Sequence, residues 1–109
     1  MSAPQAGSGV ADIIRVLVYA NVRAENAEAF EEAFSEVSSR VKGTPGHVSD
    51  ELLRDAEDPD TYILLGQWRT REAFLEWEND PIHREATTPM RPYWSVTERR
   101  IFEVAVQPV

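Results

Sequence analysis

The sequence contains no cysteine, which excludes disulfides, thiolate metal sites, iron–sulfur clusters and cysteine nucleophiles. Positive charge is also scarce. Eleven Lys and Arg stand against 19 Asp and Glu, a formal net charge of −8, and that balance disfavours nucleic acid and anionic membrane surfaces as partners. No apolar run approaches the roughly 20 residues of a membrane span. Internal repeats and low-complexity segments are missing too. The stretch MSAPQAGSGVAD lacks a basic region followed by an apolar core, so residues 1–11 read as a disordered lead-in rather than a signal peptide. Residues 12–109 are then expected to form one domain, in a reducing, cytoplasmic setting.

What is present is clear periodicity. Residues 13–22 (IIRVLVYANV) are β-branched and short, which predicts a strand. Its faces are Ile14, Val16, Val18, Ala20, Val22 and Ile13, Arg15, Leu17, Tyr19, Asn21. Over residues 25–42 the period becomes helical, with Phe30, Phe34, Val37 and Val41 on one stripe, Asn26 as N-cap and Gly43 after the end. Thr44-Pro45-Gly46 predicts a turn, His47–Arg54 a second strand and Thr61–Trp68 a third. Thr70 caps a second helix, and Asp80-Pro81 starts a short one that ends at Pro89. A last strand is expected over about Ser95–Val106.

The order β-α-β-β-α-β defines an α+β, ferredoxin-like domain: an antiparallel four-stranded sheet, order 4-1-3-2, with helices on one face. Helices on one face leave Leu17, Tyr19, Ile63 and Leu65 uncovered, a larger apolar patch than a monomer usually exposes. A homodimer packed sheet to sheet is the expected cover.

Several features together resemble the antibiotic biosynthesis monooxygenase family of dimeric α+β barrels. They are the opening VLVYANVRAENAEAFEEAF, the turn Thr44-Pro45-Gly46, the strand end Gln67-Trp68, the block WRTREAF from Trp68 to Phe74, and Asp80-Pro81 with His83. The resemblance covers nearly everything from Asp12 onward. It implies a pocket between sheet and helices, lined by Trp68, and several activities: cofactor-free oxygenation of anthrone- or naphthacenone-type polyketides, quinol oxidation, or haem degradation. Where the polyketide oxygenases carry an asparagine and a tyrosine, this sequence has Leu64 and Phe74. Their helix arginine falls near Thr87, as does the histidine that ligates iron in the haem-degrading members.

A cofactor-free oxygenase needs an apolar, water-excluding site and one base near neutral pKa. Aromatic walls suit a flat polycyclic substrate, and candidates for binding it are Phe30, Phe34, Tyr62, Leu64, Phe74, Trp77, Tyr93 and Trp94. Trp68 with His83 or His47 forms the candidate catalytic set; each histidine also suits a structural role. Arg84 and Arg91 suit either a surface ion pair or an enolate partner. His47 and His83 show no metal-ligand spacing, so no metal is expected, and the resemblance to cofactor-free oxygenases implies no other cofactor. The function expected is a cofactor-independent monooxygenase that uses O₂ on an aromatic polyketide or quinol. The alternatives are a non-catalytic dimer holding a small aromatic ligand, and a haem-degrading enzyme.

Overall fold

The computed structural model describes residues 13–108; the lead-in expected over 1–11 lies outside them. Four strands, β1 (Ile14–Asn21), β2 (His47–Arg54), β3 (Thr61–Trp68) and β4 (Ser95–Phe102), form an antiparallel sheet in the order β2-β3-β1-β4. Helices α1 (Ala27–Val41), α2 (Arg71–Asn79) and α3 (Pro81–Ala86) complete the α+β, ferredoxin-like order expected from the sequence.

The core follows the alternation of β1 and β3. Ile14, Val16, Ala20, Tyr62 and Trp68 are buried, packed against Phe30, Ala33, Val37 and Val41 of α1. Each large apolar side chain buried this way contributes about 1.5–3 kcal/mol. The caps are as read: Thr70 Oγ1 accepts from the Ala73 N–H at 3.0 Å, and Asp80 Oδ1 from the Ile82 N–H at 2.9 Å. Gly46, at φ +88°, closes a turn in which the His47 N–H donates to the Thr44 carbonyl, 3.0 Å.

Three local expectations are corrected. Asn26 makes no side-chain cap, because a 3-10 turn over Ala24–Asn26 runs directly into α1. The last strand ends at Phe102 rather than Val106, since Phe102 pairs with Arg15 and β1 begins at Ile14. Strict alternation along His47–Arg54 would put His47 on one face with Ser49 and Glu51, and it does not lie there. A β-bulge places His47 opposite Trp68 and Ser49 opposite Gln67, so one extra residue reverses the alternation.

The far side of the sheet carries Leu17 opposite Leu65 and Tyr19 opposite Ile63, with Leu53 beside Ile63. Leu53 is 42% exposed and Phe102, on the same face of β4, 38%. Their neighbours on the sheet, Glu51 and Arg100, supply charge around this apolar centre.

Candidate active site

Between the helix-facing side of the sheet and α1–α3 lies a cavity of about 240 Å³, somewhat below the usual range for small-molecule sites. The β1 and β3 walls are Val16, Val18, Leu64 and Trp68; Phe34, Val37 and Val41 face them from α1. Trp68 is the centre of an aromatic cluster. Its ring centroid is 5.6 Å from Phe74 at 67° and 5.3 Å from Trp77 at 32°, an edge-on and a tilted contact that hold it rigidly.

His83 reaches this cavity from α3. Its ring meets Trp77 edge-on, centroids 4.4 Å apart at 84°. Burial lowers its pKa below the ordinary 6.5, and Arg91 adds to that, while Glu78 opposes it. The imidazole is therefore neutral at pH 7 and free to accept a proton. At the rim, Arg99 Nε and Nη2 donate to Glu78 Oε2 and Oε1 at 2.9 and 2.6 Å, and the guanidinium sits 5.4 Å from the Phe74 centroid. This pair links β4 to α2 beside the opening.

The structure brings together Trp68, His83, Phe34, Leu64, Phe74, Trp77, Arg91 and Trp94 around one space. It places the other sequence candidates elsewhere. Phe30 is fully buried in the core, edge-on to Tyr62 at 5.3 Å and tilted against Trp94 at 5.5 Å. Tyr62 sends its hydroxyl away to Glu31 Oε2, 2.7 Å. Tyr93 lines a shallow depression with Asn21 and Asp60, and Arg84 is exposed on α3 away from the cavity wall. His47 lies behind Trp68, centroids 5.1 Å apart at 69°, outside the cavity lining.

Residues that sequence reasoning missed also line the cavity, chiefly Asp50, Ser38, Glu78 and Arg99. Asp50 lies opposite Gly66 in the sheet. Gly66 matters because a Cβ there would stand 3.1 Å from Asp50 Oδ1 and 3.4 Å from Trp68 Nε1. Its missing side chain keeps that corner open.

Among the described residues, no group of three or more His, Asp or Glu side chains is placed to hold a metal ion. Thr87, where the resemblance puts a haem ligand, donates Oγ1 to the His83 carbonyl at 2.9 Å and accepts from Arg91 Nη2 at 2.9 Å. Its hydroxyl is committed within the protein.

The antibiotic biosynthesis monooxygenase family model matches residues 13–88, and the chain belongs to that family. Protein SchA of Streptomyces halstedii is 31% identical over 80 residues, 73% of this chain but 21% of SchA. The chain thus spans about a fifth of that relative's length. A mycobilin-producing heme oxygenase of Mycobacterium tuberculosis is 31% identical over 51 residues, 47% of this chain and 49% of the relative. Among solved structures, SnoaB, a cofactor-independent oxygenase from Streptomyces nogalater, is 25% identical with a TM-score of 0.74, covering 91% of this chain and 98% of SnoaB. The heme-degrader MhuD of Mycobacterium tuberculosis shares the fold at 24% identity and TM-score 0.71, covering 89% and 99%.

Proposed function

We propose that the protein is a cofactor-independent monooxygenase that oxidises a small aromatic polyketide of the anthrone type, or a quinol, with O₂. The observation that carries this reading is a neutral histidine, His83, set against Trp77 in an apolar cavity walled by Trp68 and Phe74. The likeness to SnoaB points the same way.

In this reading the flat substrate packs against Trp68, and His83 takes a proton from its acidic ring carbon. The C–H electron pair delocalises into the rings, where the apolar wall keeps water from returning a proton. The carbanion passes electrons to O₂ and a C–O bond forms, giving a peroxide whose outer oxygen takes the proton back from the imidazolium. Loss of the second ring proton to His83 drives O–O cleavage, and the departing hydroxide takes that proton as water. The balance is CH₂ plus O₂ to C=O plus H₂O, a quinol reacting through its keto tautomer, which carries the same CH₂. His47 has no place in these steps except through a neighbour.

The same proposal makes the working unit a cytoplasmic homodimer of one domain each, residues 12–109, paired through Leu17, Tyr19, Ile63 and Leu65. A second reading is favoured by one observation. Leu64 and Phe74 are apolar where the resemblance puts an asparagine and a tyrosine, which suits a dimer that holds an aromatic ligand unchanged. The haem-degrading reading has no histidine at the position the resemblance points to, where the Thr87 hydroxyl is engaged with backbone and Arg91. Oxygen uptake by metal-free and flavin-free protein, with an anthrone and with a naphthoquinol, separates these readings. Saturable uptake supports the oxygenase. Tight binding without uptake supports the carrier.

A further inference from the structure

We propose that Asp50, positioned by His47, is the hydrogen-bond acceptor that recognises a hydroxyl group on the aromatic ligand; this deepens the oxygenase reading and rests on its cavity.

The arrangement starts with the bulge between His47 and Ser49, which puts two residues three apart on the same face of β2. Both side chains are deeply buried, 6% exposed for His47 and 10% for Asp50. His47 Nε2 lies 3.1 Å from Asp50 Oδ2, at ion-pair distance but outside hydrogen-bond alignment, and it has no other hydrogen-bond partner. The same Oδ2 accepts from Ser38 Oγ at 3.4 Å. Oδ2 is thus held on the protein side. Oδ1 lies on the Gly66 side, against the corner that Gly66 keeps empty next to the Trp68 indole nitrogen.

A buried carboxylate is costly unless its oxygens are bonded. The other polar groups on this wall are already engaged: Glu78 with Arg99, and Thr87 with Arg91 and two carbonyls. Asp50 Oδ1 is therefore, with the His83 imidazole given over to proton transfer, the acceptor available to hold a ligand hydroxyl. An ionised carboxylate accepts only, so it selects an O–H donor, discriminates against an ether of the same shape, and repels a carboxylate. His47 acts through Asp50 and touches no ligand; it is a positioning residue.

The test is calorimetric titration of the full chain with 1-naphthol and with 1-methoxynaphthalene, which differ by one donor hydrogen replaced by methyl. Wild type is expected to bind 1-naphthol about tenfold or more tightly than the ether, the scale of one hydrogen bond to a charged group. Asp50→Leu should bring the ratio near one while ether binding persists, and His47→Leu, which also removes the ring packed edge-on against Trp68, should shrink the ratio. A wild-type ratio near one overturns the assignment without needing any variant. So does a ratio that survives Asp50→Leu. Oxygen uptake on the same samples keeps the two readings apart: a preserved ratio without uptake leaves Asp50 in this role and removes the oxygenase, whereas uptake with a ratio of one does the reverse.

Discussion

The imidazole of His83 stands edge-on to the Trp77 ring, centroids 4.4 Å apart and planes at 84°. That packing fixes the ring, and burial in the same place lowers its pKa from 6.5. Two consequences follow, one for rate and one for stability. If His83 takes the substrate proton, kcat/KM should rise with pH through an apparent pKa below 6.5 and stay flat above it. His83→Gln should lower kcat by about 10²–10⁴ fold, the usual worth of a positioned base. For stability, the unfolded chain binds a proton at His83 more readily than the fold does. Stability should therefore fall as pH drops from 6.5 toward the lower folded value, and His83→Gln should flatten that part of the profile. Urea melts at stepped pH measure it.

Trp68 joins core and cavity, being 2% exposed while it lines the space. Trp68→Ala should cost about 3–5 kcal/mol in chemical denaturation and abolish binding of flat ligands. Trp68→Phe keeps an aromatic ring among His47, Phe74 and Trp77 and should lose much less of both. Equal losses in the two variants, measured by denaturation and by ligand titration, would place Trp68 in the core alone.

Gly66 sits where the β3 wall has little room for a side chain. Alanine there brings a Cβ to 3.1 Å from Asp50 Oδ1 and 3.4 Å from Trp68 Nε1. We expect Gly66→Ala to cost about 1–3 kcal/mol as overpacking and to weaken hydroxylated ligands more than their ethers. Gly43→Ala offers a comparison away from the cavity, because its φ of +94° opposes a Cβ while, among the described residues, no atom beyond its chain neighbours lies within 4 Å of one. It should destabilise without changing ligand preference.

The uncovered sheet face gives a prediction about assembly. Leu17 and Leu65 pair across β1 and β3, and Tyr19 pairs with Ile63, without a helix over them. Ile63→Arg or Leu17→Glu should convert a dimer to a folded monomer in light scattering behind size exclusion, since a charge in the middle of a buried apolar interface is left unpaired. Wild type running at one chain's mass would contradict the pairing.

The sheet and helices were legible because alternation and helical period are written residue by residue, and because Thr70, Asp80 and Gly43 sit where termini need them. The bulge was not. It adds one residue, Val48, with neither glycine nor proline to mark it, and it reverses which way His47 points. The pairing of His47 with Asp50 was hidden for that reason. Phe30 and Tyr62 read as cavity walls, yet the fold uses them first to fill the space between α1 and β3. Sequence names the aromatics of such a site, but the depth of each ring depends on packing. Asp50 shares alternation with Leu52 on β2, and an acidic residue on an apolar face was the signal available for it.

The most direct test is product analysis under ¹⁸O₂ with an anthrone, using metal-free and flavin-free protein with His83→Gln alongside. Ketone carrying one ¹⁸O atom is expected, formed at a saturable rate well above buffer alone and depressed in the variant. Product appearing only at the buffer rate, or saturable formation untouched by His83→Gln, would contradict it.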